Sequence, residues 1–582
     1  MCGIAGVIRS QSATLDDVRG MIAKIAYRGA DEQGFQKVGP ALLGHARLAV
    51  VDPVNGKQPM SNEDGTVWVT FNGEIYNYVE LREELKAKGH KFKSRCDTEV
   101  LVHLWEEEGE KMLDRLIGMF AFFLWDERND RGIIARDRQG IKPLYIAQYG
   151  GGLAFCSEIK GILTLPGFET KIDNDTLLQV FAFNYPPPPR TCFQGVTHVT
   201  PGTYLLLEGD KAPQTRTYWT WPLFEERRTP SFDEFAELLD DAVRLQMRFD
   251  VPGAMFLSGG VDSSVVAIHL AKAWLNPPLE ALALDFKQLG FSEMEYSKVA
   301  AERAGVQLRA FEVAPDFVPD IAPKVVFHSD EPHGDFSFFL IRLLCQEAHR
   351  QKKIVMFNGD GPDETMLGFG QNERYFSGVG RMNFSLRSYF DLICYMNEEM
   401  RQRLLTDEFL VGRQDPVDKF AEILAPWESL EPMEQVAAYE LTSLMPGNNE
   451  LKGDRMGAAW SIEGRSPLLD HRVSELFVRL PLEEKFKNGV GKAYLKEYAL
   501  RAFPRDFIYR PKTMPTMPIG EWVKSSLYEW TRETFSYRPD DGIFKTSALL
   551  KMLDDHRAGK RNHTSQIRTV LMTKLWLKEF FA

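Results

Sequence analysis

The first 205 residues alternate between short apolar runs and turn residues. Runs such as CGIAGVI, TVWVTFNGE, MFAFFLWD and GIIARD are rich in β-branched and aromatic residues, and Gly, Asp and Asn bound them, so they predict strands. Two stretches, 78–88 and 97–108, instead have apolar residues at helical spacing. Many strands with few helices favour an antiparallel α+β layer structure for residues 2–205.

The pattern changes after a polar segment at 206–232, which has prolines at 213, 222 and 230 and is interpreted as a linker. Strand patterns then alternate with helix patterns, which is typical of a parallel, doubly wound α/β sheet. The strands are predicted at 254–257, 281–286 and 355–358, and the helices at 262–274 and 293–304. Beyond residue 385 helical spacing dominates, at 386–405, 415–445, 473–480, 492–502 and 546–580. We therefore predict a second domain, residues 233–582, with added C-terminal helices.

Composition narrows the class of protein. A chain of 582 residues exceeds a single hydrophobic core. Its formal charge of −12 argues against a nucleic-acid partner. Six cysteines without a CxxC pair form neither a disulfide framework nor a zinc site, so a reducing cytoplasm is expected. No run of apolar residues is long enough for a membrane span, and MCGIAGVIRS lacks the charged segment of a secretory signal.

Cys2 is the first residue with candidate chemistry, because it directly follows the initiator Met1. If Met1 is removed, one residue carries both a thiol and a free α-amine. The amine has a reference pKa of about 7.7–8.0 and the thiol one of about 8.5, so the amine can take up the thiol proton near neutral pH. A nucleophile and its base on one residue are the arrangement of N-terminal nucleophile hydrolases.

A glutamine pocket can be assembled from three later segments. Arg47 in GHARLAVVD offers a guanidinium fork for an α-carboxylate, and Asp97 in SRCDTEVLVH offers a carboxylate for an α-ammonium. The side-chain amide of Asn72 and the backbone N–H of Gly73 can stabilise the oxyanion of a tetrahedral intermediate. Gly73 also lets the backbone approach closely, because it has no Cβ.

A series of motifs in the first 163 residues resembles the class II glutamine amidotransferases, and within them the glutamine-hydrolysing asparagine synthetases. The motifs are MCGIAG, RGADEQG, GHARLAVVD, GKQPM, FNGEIYNY, CDTEVLVH, ARDRQGIKPLY and SEIKGIL. The resemblance implies an αββα N-terminal nucleophile sandwich with Cys2 as the nucleophile. It also implies that glutamine or its oxyanion is bound by Arg47, Asn72, Gly73, Glu74 and Asp97.

The string AMFLSGGVDSS at 254–264 places a Gly-rich turn between an apolar strand and a helix that opens with Asp262, Ser263 and Ser264. Backbone N–H groups and hydroxyls at a helix N-terminus form a phosphate site. No Gly-Lys-Ser or Gly-Lys-Thr follows, so this is not a Walker A loop. It resembles the pyrophosphate-binding loop of ATP pyrophosphatases, which cleave ATP to AMP and pyrophosphate. Bound ATP brings Mg²⁺, which prefers oxygen ligands, and Asp262 is one candidate ligand.

A second segment, NGDGPDE at 358–364, follows a predicted strand and resembles the metal loop of the asparagine synthetases. The resemblance implies that Asp363 is the partner Mg²⁺ ligand and that Asp360 takes part in the acyl-adenylate step. It further implies that Lys492 in GKAYLK stabilises charge on the adenylate, with Lys512 in RPK as a further candidate. DEPHGDFS at 330–337 and KGDRMG…SIEGRSPLLDHR at 452–472 also match. The residues expected to bind ATP are Leu257, Ser258, Gly259, Gly260, Asp262, Ser263, Ser264, Leu284, Asn358 and Gly359.

Departures from the family pattern are concentrated in the C-terminal half. Asn358 stands where Ser is usual, Pro362 lies inside the metal loop, and TMLGF at 365–369 replaces LFGGY, which puts Leu367 where Gly is expected. The other departures are Tyr27, Ala30, Gln139, Thr365, Lys496 and TMPTMP at 513–518. Since the ATP and metal groups are kept while their surroundings change, the pattern is what a respecialised acceptor pocket would produce.

The resemblance covers nearly the whole chain and predicts a glutamine-hydrolysing carbon–nitrogen ligase. Cys2 would release ammonia from glutamine, an internal tunnel would carry it, and the C-terminal ATP-pyrophosphatase domain would activate a carboxylate as its acyl-AMP with ATP and Mg²⁺. The default acceptor is L-aspartate, which gives L-asparagine. The leading alternative is another carboxylic acid in specialised metabolism.

One branch of the family is disfavoured by the sequence, and two other functions stay open. Family members that close β-lactam rings typically lack a working Cys2, so Cys2 argues against that branch. A non-catalytic sensor of glutamine or nucleotide, or a glutaminase with a silent synthetase half, would not convert ATP to pyrophosphate. The sequence does not specify the oligomeric state, and a homodimer is one option.

Overall fold

The computed structural model describes residues 1–275, 278–285, 294–312, 317–378, 383–510 and 517–582. In the N-terminal half the helices are α1 Leu15–Lys24, α2 Tyr78–Ala87, α3 Glu99–Glu108, α4 Met112–Arg115, α5 Ile159–Ile162 and α6 Asn174–Phe183. The strands are β1 Gly3–Ile8, β2 Glu32–Val38, β3 Ala41–Arg47, β4 Met60–Ser61, β5 Val67–Ile75, β6 Gly118–Asp126, β7 Arg131–Arg136, β8 Tyr145–Tyr149, β9 Gly152–Cys156, β10 Val196–His198, β11 Thr203–Glu208 and β12 Gln214–Thr217. They form two antiparallel sheets, in the orders β10-β8-β9-β1-β3-β2 and β12-β11-β7-β6-β5-β4.

Strand β6 shows how these sheets stack. Successive side chains of a strand point to opposite faces. Phe122 and its neighbours on that face pack against α2 and α3, whereas Phe123 and Trp125 pack against the other sheet. The far side of that other sheet is covered by α1 and α5. The layers therefore run helix, sheet, sheet, helix, which confirms the αββα sandwich.

The C-terminal half contains a sheet of five parallel strands: β13 Gly253–Phe256, β14 Glu280–Asp285, β15 Gln307–Glu312, β16 Val355–Phe357 and β17 Glu463–Arg465. Their order is β15-β14-β13-β16-β17, and every pairing is parallel. From β13 the chain adds β14 and β15 on one side of the sheet and then β16 and β17 on the other. Ligands of such sheets bind beyond the carboxyl ends of the strands at the point where the order reverses, here between β13 and β16.

Helices surround this sheet and extend beyond it. They are α7 Phe232–Gln246, α8 Val261–Ala273, α9 Met294–Ala304, α10 Val318–Ser329, α11 Ser337–Arg350, α12 Pro362–Thr365, α13 Gly370–Phe376, α14 Leu386–Ile393, α15 Glu398–Leu404, α16 Asp407–Leu410, α17 Pro416–Leu424, α18 Pro432–Tyr439, α19 Glu450–Ala458, α20 His471–Val478, α21 Leu482–Lys485, α22 Ala493–Ala499, α23 Arg505–Ile508, α24 Ile519–Lys524, α25 Tyr528–Ser536, α26 Thr546–Arg557 and α27 Thr564–Phe580. A π-helix, Glu440–Asn449, joins α18 to α19, and a two-stranded ribbon is formed by β18 Phe486–Lys487 and β19 Val490–Gly491. No helix in the described part of the chain is long and apolar enough to cross a bilayer.

Three predicted helices are interrupted. The pattern at 386–405 divides into α14 and α15, because the Asn397 side chain caps a new helix start. The pattern at 415–445 breaks near Pro426 and Pro432, and that at 546–580 breaks at Gly559, whose φ is +68°. Strand β12 pairs with β11 inside the segment interpreted as a linker. Phe286, residue 293, Lys512 and residues 513–516 lie outside the described residues.

Candidate active site

Cys2 lies directly before β1 and is almost buried. Its Sγ lies 3.7 Å from the Leu48 carbonyl oxygen, and Arg28 Nε donates to the Cys2 carbonyl at 2.8 Å. Burial raises the pKa of the thiol, and the neighbouring α-amine partly offsets this rise. Burial also lowers the pKa of that amine, which belongs to Met1, to about 6. The free α-amine next to the thiol is thus that of Met1, and Cys2 acquires an α-amine of its own only if Met1 is removed.

Asn72 and Gly73 lie near the end of β5 with the properties of an oxyanion site. The Asn72 side chain is fully buried, and neither its Nδ2 nor its Oδ1 has a hydrogen-bond partner among the described residues. A buried amide without a partner is costly, so Asn72 is suited to a ligand that supplies one. A Cβ at position 73 would lie 2.1 Å from the Met119 carbonyl oxygen, so this close approach requires glycine.

Arg47, Glu74 and Asp97 are brought together on the same side of the N-terminal half. Arg47 donates to the carbonyls of Pro53 and Asp52, each at 2.8 Å, so part of its guanidinium is already occupied. Asp97 Oδ2 accepts from Ile75 N at 2.9 Å, and burial raises the pKa of this carboxyl to about 6. Arg47 still has N–H donors, and Asp97 still has lone pairs, that a ligand could use.

The Gly-rich turn 258–260 joins β13 to α8 at the point where the sheet order reverses. Gly259 has a φ of +74°, and a Cβ there would lie 2.6 Å from Ser297 N. Ser258 Oγ and Ser263 Oγ are 3.2 Å apart across the turn. Gly260 is the N-cap of α8 and offers no side chain, so the first N–H groups of the helix are left for a ligand.

The loop after β16 packs directly on the first turn of α8. A Cβ at Gly359 would lie 2.5 Å from Ser263 N, so only glycine allows the loop to approach the helix this closely. Lys492 Nζ lies 2.7 Å from Asp262 Oδ2 and 2.8 Å from Asp363 Oδ1. Burial by itself would lower the pKa of Lys492, but the two carboxylates raise it above its ordinary value. The three residues predicted to carry metal and charge chemistry thus converge on one point.

Asp360 lies beside this centre and opens onto a cleft. Although part of its surface is open to solvent, the surrounding protein limits its hydration and raises its pKa to about 6, with Asp262 and Asp363 adding to the rise and Lys452 opposing it. Ser466 Oγ donates to the Asp360 carbonyl at 2.8 Å.

Of the remaining predicted ATP residues, Leu257 is buried at the end of β13, and Leu284 lies on the adjacent strand β14.

Two departures from the family pattern, Pro362 and Leu367, have local structural roles. Pro362 is the first residue of α12, where proline is favourable. Leu367 has a φ of +54°, and its fully buried side chain packs with Phe376, Tyr389 and Phe486. The position usual for glycine is therefore a left-handed one, and the leucine side chain belongs to a hydrophobic cluster.

Sequence reasoning did not single out two arginines that support the site. Arg510 Nη2 donates to the Gly259 carbonyl at 2.7 Å, and its guanidinium lies 3.8 Å from the Tyr296 ring centre. Arg465, on β17, is fully buried and joins Glu463, with Nε–Oε1 2.8 Å, to Glu74 of the glutaminase half, with Nη2–Oε2 3.1 Å. Both lie in segments that match the family, RPK and SIEGRSP, and this match was the only feature of the sequence that pointed to them.

A cavity with about 40 Å³ of space for water-sized molecules lies between the two halves. Met1, Met119 and Lys142 line it on the glutaminase side. Asn358, Asp360 and Ser466 line it on the synthetase side. The cavity therefore extends from the residue next to Cys2 to the loop after β16.

Comparison with known proteins agrees with this two-part organisation. Residues 1–219 match the family model of the glutamine amidotransferase domain, and residues 234–578 match that of asparagine synthase. The glutamine-hydrolyzing asparagine synthetase 1 of Bacillus subtilis is 30% identical, with 99% of this chain and 96% of that protein covered. The corresponding synthetase 3 of the same organism is 29% identical, with 95% and 93% covered. This chain thus belongs to the glutamine-hydrolysing asparagine synthetase family, as a ligase that uses glutamine and ATP to amidate a carboxylate.

Proposed function

We propose that the chain makes L-asparagine from L-aspartate through an aspartyl-AMP intermediate, with ammonia passed internally from Cys2. The observation that carries this proposal is the cavity shared by Met1 and Asp360. Its volume of about 40 Å³ exceeds the roughly 10–15 Å³ that one water needs, so molecules the size of ammonia fit. Because Met1 lines the cavity, removal of Met1 would widen it beside the nucleophile.

In the glutaminase half, the Cys2 thiolate would attack the amide carbon of glutamine once the α-amine has taken its proton. The Asn72 amide and the Gly73 N–H would stabilise the resulting oxyanion, which is supported by the unpartnered state of that buried amide. The protonated amine would then give its proton to the leaving ammonia. Water would cleave the γ-glutamyl thioester to glutamate and return Cys2 to its thiol.

In the synthetase half, Asp262 and Asp363 fit a magnesium ion that accompanies ATP, because both carboxylates already converge on a cation, the Lys492 ammonium. Bound there, the ion would offset phosphate charge. The N-terminus of α8 and the hydroxyls of Ser258 and Ser263 would hold the departing pyrophosphate. Lys492 would then be released to pair with phosphate oxygens.

The acceptor carboxylate would attack the α-phosphorus of ATP and release pyrophosphate. Ammonia would next attack the acyl carbon, AMP would leave with its bonding electrons, and the new nitrogen would lose one proton to give the amide. Aspartate is favoured over another acid because the relatives that cover nearly the whole chain are named asparagine synthetases. The Leu367 side chain faces a hydrophobic cluster, which gives the alternative acceptor no support. Six free cysteines favour a reducing cytoplasm.

The test is acceptor-dependent release of pyrophosphate from ATP by the purified chain, measured with aspartate and a panel of other carboxylic acids. Cys2→Ala should abolish synthesis with glutamine and leave synthesis with ammonia intact, whereas Asp363→Asn should abolish both. Formation of ADP and phosphate would contradict the adenylate step. A better acid than aspartate would contradict the acceptor alone.

A further inference from the structure

Four donor side chains outside both reaction centres meet at one edge of the N-terminal half. His103 and Glu106 lie one turn apart on α3, Glu63 lies in the turn after β4, and His90 follows α2. One donor atom from each lies within 4.8 Å of all the others. We propose that Glu63, His90, His103 and Glu106 bind a zinc ion.

The spacing of these atoms fits a shared ion. Both imidazole Nδ1 atoms face the same two carboxylates: that of His103 lies 3.2 Å from Glu63 and 3.4 Å from Glu106, and that of His90 lies 3.9 Å and 3.7 Å from them. Zinc bonds of about 2.0–2.2 Å in a tetrahedron give ligand-to-ligand distances of about 3.3–3.6 Å. The two distances from His103 are close to that spacing, whereas the two from His90 are slightly longer, so ligation would draw His90 inward.

The groups behind the donors also match a metal site. His90 Nε2 lies 3.1 Å from Glu107 Oε1, and His103 Nε2 lies 3.8 Å from Glu99 Oε1. Metal-binding histidines characteristically have a carboxylate at the second ring nitrogen, as His90 has in Glu107, whereas His103 Nε2 makes no hydrogen bond among the described residues. Asn62 Nδ2 donates to Glu106 Oε1 at 2.9 Å, which occupies the oxygen that faces away from the histidines.

Charge and access favour a divalent ion. Two carboxylates and two neutral imidazoles balance a charge of +2, and imidazole with carboxylate suits zinc among the divalent metals. The His103 side chain is fully buried, whereas those of Glu63 and His90 are 32% and 12% exposed. The cluster therefore has a fixed inner ligand and an outer side through which an ion can enter.

The helix that carries the cluster starts next to the glutamine pocket. Asp97 lies two residues before α3, and Glu99, on its first turn, accepts from the backbone N–H groups of Lys93 and Ser94 at 2.6 Å and 2.7 Å. An ion at His103 would tie α3 to Glu63 and His90. We assign it a structural role, which does not depend on the reaction proposed above.

The test uses the full-length chain, stripped with chelator and then titrated with zinc chloride, with bound zinc measured after dialysis. We expect one zinc per chain, a raised unfolding temperature that chelator reverses, and the visible absorption of tetrahedral cobalt when Co²⁺ replaces zinc. His90→Gln and His103→Gln should each abolish all three signals. Glu107→Gln should weaken zinc binding by about 10- to 100-fold. His349→Gln, an exposed histidine elsewhere, is the matched control and should change nothing.

Three outcomes overturn the proposal: no zinc above background in the wild-type chain, zinc retained by both histidine variants, or zinc lost in Asp262→Asn but not in His90→Gln. The last result would place the ion among the synthetase carboxylates. If His103→Gln does not fold, His90→Gln and Glu106→Gln decide, because both residues lie nearer the surface.

Discussion

Arg465→Met is expected to destabilise the interface between the two halves of the molecule. Arg465 is fully buried on β17, where its guanidinium binds Glu463 of its own domain and Glu74 of the glutaminase half. Its Nη1 also donates to the Gln246 carbonyl at 2.5 Å. Methionine keeps the length of the side chain but leaves two buried carboxylates without their cation.

The size of the effect follows from that loss. Removing one partner of a buried ion pair costs about 3–5 kcal/mol, which for a domain of about 350 residues lowers the unfolding temperature by about 4–7 °C. Although burial opposes it, Arg465 is a principal cause of the lowered pKa of Glu463. A carboxyl group with a lower pKa in the folded state than in the unfolded state stabilises the fold at pH values above its unfolded pKa. That stabilisation is lost as the pH falls through its folded pKa. The difference in unfolding temperature between wild type and variant should therefore be largest at neutral pH and above, and should become smaller in acid.

The assay is thermal unfolding of wild type, Arg465→Met and Arg465→Lys over a range from about pH 8 to about pH 3, because the lowered pKa of Glu463 lies below the ordinary glutamate value. Lysine keeps the charge and should recover part of the loss. Arg479→Met removes a partly exposed arginine from the same domain and is the matched control. A second readout is the ammonia released to solution per amide formed, which should rise in Arg465→Met because Glu74 lies on the glutamine side. A small temperature shift, or a gap that does not change with pH, would refute the reasoning.

Three further predictions concern individual positions. Asp97→Asn should raise the KM for glutamine, and it should stabilise the fold by up to about 3 kcal/mol above the Asp97 pKa of about 6, since the raised pKa makes ionised Asp97 costly there; chemical denaturation at two pH values measures this. Gly368→Ala should abolish pyrophosphate release with either nitrogen source but spare glutaminase activity, because the new Cβ would lie 2.3 Å from Asp363 Oδ1. Leu367→Gly should lower the free energy of unfolding in urea by about 1–3 kcal/mol, since the lost buried side chain outweighs relief of the left-handed backbone.

Much of the layer structure could be predicted from local pattern. The apolar run of β6 and its neighbours indicated the N-terminal sheets, and the predicted strands at 254–257, 281–286 and 355–358 correspond to β13, β14 and β16. Strand β15 was missed because it is a largely exposed edge strand without an apolar run. Strand β17 was missed because Glu463 and Arg465 have the composition of surface residues, although both are buried.

The composition of the joint between the halves could not be predicted from local pattern. Arg465 is buried between Glu463 and Glu74, and because Glu74 is far away in sequence, no periodicity records that pairing. The same holds for Arg28, which joins the Cys2 carbonyl to Asp454 and to Glu158. Family motifs marked these segments as important, but their contacts became evident only in three dimensions.

The departures at Pro362 and Leu367 are explained by the local backbone and packing, without a change of substrate. Proline at the first position of α12 meets the backbone requirement of that position, because its missing N–H would have no partner in the helix. Leucine at 367 accepts a left-handed backbone that glycine would adopt freely, and its buried contacts with Phe376 and Tyr389 offset that cost. Both changes are thus explained by folding of the loop, and next to them the ion pair between Asp363 and Lys492 is kept, with Oδ1 and Nζ 2.8 Å apart.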